Sequence, residues 1–279
     1  MSWDIKEVKT RLSELSSPNP EIEAVIQMME DGVSDLKLIA QKVKLDPILS
    51  ARLLHLANSS FYGFPREVKD VEMACVILGA NTIRNLVYTL VVLARFNNPK
   101  QDSRLDYDKI WLHGLMTASI AQVIYKHLKL DFQVGFTSGL FYNLGMVLMD
   151  YLYTDQLQHC MKVAEAEQRN LLEVERAAMG KDHQELTGIV LDIWSFPKAI
   201  VDNISSPMAE AGLEGMIVTL ADVLTSGTMG PLVSGVRLNR VEECELEPCG
   251  VDLAELPNLI MAAQRLYMEL AGEFFSSNK

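Results

Sequence analysis

Apolar residues recur at helical spacing along most of this chain, and strand-like alternation is scarce. That pattern directs the chain to an all-α fold. In 34–43, Leu36, Leu38, Ile39, Ala40 and Val43 fall on helical positions, with Ser34 as the expected N-cap. Asp46-Pro47 opens the next helix, Asp as cap and Pro at the first helical position, and that helix stops near Asn58-Ser59. Asp70 caps a short helix ending at Gly79, and Asn81 caps another reaching Phe96. The polar stretch NNPKQDSRLD at 97–106 reads as a linker. Beyond it the periodicity predicts helices over 107–129, 135–152, 153–167, 171–179, 182–194, 198–204, 215–224 and 256–275. Residues 226–250, rich in Gly, Pro and acid, read as an exposed loop. Two helical lobes are expected, 1–100 and 101–279.

Composition narrows the function. Hydrophobic residues make up 49% of the chain, so a large core forms without disulfides or metals. Cys75, Cys160, Cys244 and Cys249 match no zinc spacing and read as reduced thiols. The N-terminal MSWDIKEVKT is charged throughout and lacks the apolar core of a signal peptide, and the longest apolar run, 86–94, is too short to span a bilayer. A cytoplasmic protein without membrane contact is expected. Residues 1–100 hold 12 basic and 12 acidic side chains, whereas 101–279 hold 13 and 25. The whole charge of −12 thus lies in the second part, which disfavours nonspecific binding of nucleic acid or anionic lipid there. No P-loop, dinucleotide glycine cluster, HExxH or GxSxG is present. SGTMGPLVSG at 226–235 has no Lys-Ser/Thr to make a phosphate cradle and reads as a loop.

The segment FTSGLFYNLGMVLM at 136–149 resembles the second signature of the HD superfamily of metal-dependent phosphohydrolases, where "GLLHDIGKL" supplies an adjacent His-Asp pair to a divalent metal. Phe136, Gly139, Leu140, Leu144 and Gly145 keep the frame. The pair is replaced by Tyr142 and Asn143, a protonated phenol and a neutral amide, both poor ligands for a dication. DPILSARLLHLANSSFYGFP and then VEMACVILGANTIRNLV resemble the HDOD family, the HD-related output domain of bacterial signalling proteins. Trp111 with His113, FTSGLF, Glu175…His183 and WSFP extend the likeness, which runs from about 15 to 225. It implies a multi-helical HD-like fold.

The resemblance places His113 at the first histidine of an HD site, Tyr142 and Asn143 at the His-Asp pair, Asp222 at the last aspartate and His183 at an additional histidine. Ser205-Ser206 stands where a further His-His pair falls in related phosphodiesterases. These are vestigial positions, with no metal and no cofactor expected. Each also has a plain structural reading: His113 as a hydrogen-bonded core residue, His183 as a surface residue beside an N-cap, Asp222 as an ion-pair or capping residue. Tyr142 is expected to fill the vacated position with its ring while its hydroxyl bonds Asp222 or Asn143. In the first lobe Asn58 and Arg84 are the candidates for ligand or partner contact.

Three functions follow. The first is a non-catalytic signalling module that binds a protein partner, or a nucleotide in the old pocket. The second is a phosphohydrolase with an unusual ligand set drawn from His113, His183, Asp222 and Asn143. The third is a DNA-binding regulator, because 34–57 looks somewhat like a helix-turn-helix. Its second helix is largely apolar, and 33–70 carries six basic against four acidic residues, so this reading ranks last.

Overall fold

A computed structural model describes residues 5–13, 28, 36–45, 50, 54, 57–58, 68–79, 83, 103–194, 196–206, 211–233, 235–236, 249–252 and 254–274. Every regular element among them is helical. The labelled helices are α1 (Ile5–Ser13), α2 (Leu36–Val43), α3 (Tyr107–His127), α4 (Phe132–Phe141), α5 (Leu144–Leu152), α6 (Thr154–Glu167), α7 (Leu171–Met179), α8 (His183–Ile193), α9 (Lys198–Ser205), α10 (Leu213–Met229) and α11 (Leu256–Phe274). The chain forms two compact units, one of 1–14 with 98–267 and one of 15–97 with 268–279.

In the smaller unit, α2 buries Ile39, Ala40 and Val43, the apolar face that the sequence spacing predicts. Residues 71–79 form a helix whose start is capped by Asp70, which accepts from Met73 N at 3.1 Å. It ends at Gly79, whose φ of +78° lies in the left-handed region. Ser34, Asp46, Pro47, Asn81 and Arg84 lie outside the described residues, as does most of the helix-turn-helix-like segment.

The larger unit is built on α3. Its N-cap Asp106 accepts from Lys109 N at 3.0 Å, and the helix then buries side chains on every face. A helix of that kind sits at the centre of its unit. Helices α4 and α10 pack against it most extensively. The α3–α4 crossing is close because Gly139 faces Ala118, where a Cβ would stand 2.7 Å from the Ala118 Cα. Helix α8 joins α5 to α9, and its start is fixed by a capping box between Asp182 and Glu185. Arg11 of α1 donates to the Leu152 carbonyl at the end of α5, at 2.7 Å.

Most helix ends fall within three residues of the sequence reading, and two helices depart further. The helix expected over 135–152 is two helices, α4 and α5, broken at Tyr142-Asn143. The helix expected over 215–224 is α10, which runs to Met229, so 226–229 belong to a helix and not to a loop. Thr225 and Thr228 return their hydroxyls to the carbonyls of Ala221 and Leu224, at 2.8 and 3.1 Å, which satisfies these side chains within the helix. Among the described residues no helix is long and apolar enough to cross a membrane. Cys75, Cys160 and Cys249 are buried free thiols.

Candidate functional site

The break at Tyr142-Asn143 turns the two side chains toward α10. Asn143 is 2% exposed and donates its amide to Asp222 Oδ1 at 2.7 Å. The Tyr142 hydroxyl meets Thr219 Oγ1 at 3.0 Å, one turn before Asp222. This corrects the expected bond from Tyr142 to Asp222 or Asn143, since Asp222 takes its hydrogen bond from Asn143. The Asn143 amide must present its NH2 here, because its oxygen would face an ionised carboxylate.

His113 approaches the same carboxylate from α3. Its Nδ1 lies 3.5 Å from Asp222 Oδ1 and 3.5 Å from Thr117 Oγ1, and its Nε2 lies 3.2 Å from Ser226 Oγ. Thr117 in turn donates to Thr225 at 3.1 Å, which completes a polar seam between α3 and α10. Burial pushes the His113 imidazole below its ordinary value, with Asp222 opposing and Lys109 assisting. Burial also pushes the Asp222 carboxyl above its ordinary value, against the pull of His113, Asn143 and His183.

His183 is not the surface residue that its position at a helix start suggests. It is 1% exposed, and its Nδ1 lies 2.8 Å from Glu175 Oε2. The His183 backbone N–H donates to the same oxygen at 3.0 Å. Burial works against the charged ring, but the Glu175 carboxylate, with Asp182 and Asp222 behind it, holds the imidazole above its ordinary value. Gly145 makes this packing possible, because a Cβ there would overlap the His183 carbonyl oxygen.

The structure therefore brings His113, Asn143 and Asp222 into one cluster, sets Tyr142 at its edge on Thr219, and pairs His183 with Glu175. Asn58 is engaged locally: its amide exchanges hydrogen bonds of 2.7 Å with both backbone groups of Val68 and donates to Leu54 O at 2.8 Å. Arg84 lies outside the described residues. Sequence reading missed Ser226, which it placed in a loop, and Thr117 and Thr219. The 222/226 spacing, one helical turn, is the signal that pointed to Ser226.

An HD-type ion would need several anionic or imidazole ligands and an open position for water. The donors here do not suit one. Among the described residues Asp222 is the single carboxylate in its cluster, and the residue beside it turns amide hydrogens inward. Among the described residues no group of three or more His, Cys, Asp and Glu is placed to hold a metal.

Comparison with known proteins gives the same fold. The HDOD domain model matches residues 15–208. A solved structure from Shewanella amazonensis SB2B, named as a candidate phosphohydrolase, aligns with a TM-score of 0.68 at 22% identity over 96% of this chain and 97% of that one. An HDOD domain protein of unknown function from Geobacter sulfurreducens aligns with a TM-score of 0.60 at 20% identity over 94% and 97%. A candidate signal-transduction protein from Marinobacter aquaeolei VT8 gives 0.62 at 18% identity over 93% of this chain and 60% of that one. No curated protein matches the sequence. With the family model spanning more than two thirds of its length and its helices arranged as in these relatives, the chain belongs to the HDOD family.

Proposed function

We propose that this chain is a regulatory HDOD module that works by binding a protein partner and not by metal-dependent phosphoester hydrolysis. The Asn143–Asp222 hydrogen bond carries the reading. In an HD phosphohydrolase both positions would be carboxylates directed at a cation. Here one has become a neutral donor that satisfies the other, and two carboxylates in that arrangement would need a metal or a shared proton between them. The fold is shared with proteins named as candidates for signal transduction and for phosphohydrolysis, and the side chains favour the first of these roles. A nucleotide in the old pocket is the secondary ligand class. The acid surplus of 101–279 disfavours DNA.

The test is elemental analysis of purified protein, joined to a turnover screen against phosphomonoesters, phosphodiesters and cyclic dinucleotides. The expected result is substoichiometric metal and no turnover above buffer. Tightly held stoichiometric metal together with turnover that Asp222→Ala abolishes would replace this reading with the phosphohydrolase one.

A further inference from the structure

Ser226, His113 and Asp222 stand in the order of a nucleophile, its base and the group that orients the base. The Ser226 hydroxyl lies 3.2 Å from His113 Nε2, and His113 Nδ1 lies 3.5 Å from Asp222 Oδ1. Both distances are at or slightly beyond hydrogen-bonding range, as relays of this kind often are before a substrate is bound. With Asp222 ionised, the favoured imidazole tautomer carries its proton on Nδ1, facing the carboxylate, and leaves the Nε2 lone pair to accept from Ser226. Asn143 holds the other side of the arrangement by donating to the same carboxylate oxygen at 2.7 Å. Helices α3 and α10 are heavily packed on each other, and Ser226 is half-buried near the end of α10 while its partners are fully buried.

We propose that Ser226 is an activated nucleophile that accepts an acyl group from small, uncharged, activated carboxylic esters, in a reaction that needs no metal. Ser226 Oγ attacks the ester carbonyl carbon as its proton passes to His113 Nε2. The bond from carbon to the leaving oxygen then breaks, and the leaving oxygen takes that proton from His113 as the alcohol or phenol departs. The product is an acyl-serine, with no change of oxidation state. An uncharged ester suits the cluster better than a phosphoester, whose negative oxygens would approach Asp222 without a cation to offset the repulsion. Lys109, one turn before His113, is the positive side chain that acts on this imidazole, and its ammonium donates to the Pro231 carbonyl at 2.6 Å. This acylation is independent of the regulatory reading, since it uses neither a metal nor a partner.

The experiment treats the full chain with p-nitrophenyl acetate, follows phenolate release, and maps the acyl group by peptide mass spectrometry. The expected result is one acyl group on Ser226, absent from Ser226→Ala and retained in Thr228→Ala. His113→Gln is expected to slow the burst on the order of a hundredfold. Circular dichroism confirms that each variant is folded. Labelling at another residue, an unchanged rate in folded Ser226→Ala, or no acylation of wild type would each overturn the proposal, and none of these results bears on metal content or partner binding.

Discussion

Asn143 and Asp222, 79 residues apart in sequence, share a buried hydrogen bond of 2.7 Å. One partner comes from the break between α4 and α5 and the other from the middle of α10, so the bond ties the helix break to the helix that faces it. Replacing Asn143 with Asp would set two buried carboxylates against each other. Asn143→Asp is expected to lose about 3–5 kcal/mol near neutral pH, the cost typical of an uncompensated buried charge. Acid should recover most of that loss by protonating one carboxylate. Chemical denaturation of the variant and wild type at pH 5 and pH 8 measures it, and equal losses at both would show that the effect is not one of charge.

The His183–Glu175 pair has its own pH signature. His183 has a folded-state value above its unfolded one, so its contribution is complete below the unfolded value and fades as pH rises through the folded value. Glu175→Gln should destabilise the protein by about 3–5 kcal/mol at pH 6 and by less at high pH, as breaking a buried pair predicts. A loss independent of pH would contradict the charged pairing.

Much of the fold was legible from local signals. Helix α7 runs from Leu171 to Met179 as the periodicity predicts, because Asn170 caps it and Gly180 at φ +81° ends it. The α4–α5 break was not legible. Apolar residues flank Tyr142-Asn143 on both sides and no proline or glycine stands at the pair, so the break is set by tertiary partners, Thr219 for Tyr142 and Asp222 for Asn143. The end of α10 was hidden for the opposite reason, since Gly227 and Gly230 read as a loop while the helix runs on to Met229 with its threonine hydroxyls bonded to its own carbonyls. Resemblance named His113, Asn143 and Asp222, but their hydrogen-bond order depends on how α3, the helix break and α10 pack, which no spacing encodes. His183 looked exposed because a helix start usually is, and its burial follows from Gly145 admitting the α8 backbone.

Gly139 tests the close α3–α4 crossing. Gly139→Ala places a methyl 2.7 Å from the Ala118 Cα, and backbone cannot yield as a side chain can. A loss of about 1–3 kcal/mol or more is expected from overpacking, read as a lower melting temperature. An unchanged melting temperature would mean that the two helices stand farther apart.

Asn58 has a structural role in the smaller unit. It closes the segment before Val68 by bonding both backbone groups of that residue. Asn58→Ala should cost about 1–3 kcal/mol, because Val68 loses partners for both groups. A loss near zero in a denaturation series would argue against the clip.

The claim that joins these results is that Asn143 satisfies Asp222 in place of a cation. Calorimetric titration of Mn2+ into wild type and into the Tyr142→His, Asn143→Asp double variant tests it most directly. The account predicts no saturable heat from wild type and stoichiometric binding by the double variant. Stoichiometric Mn2+ binding by wild type, lost in Asp222→Ala, would contradict it.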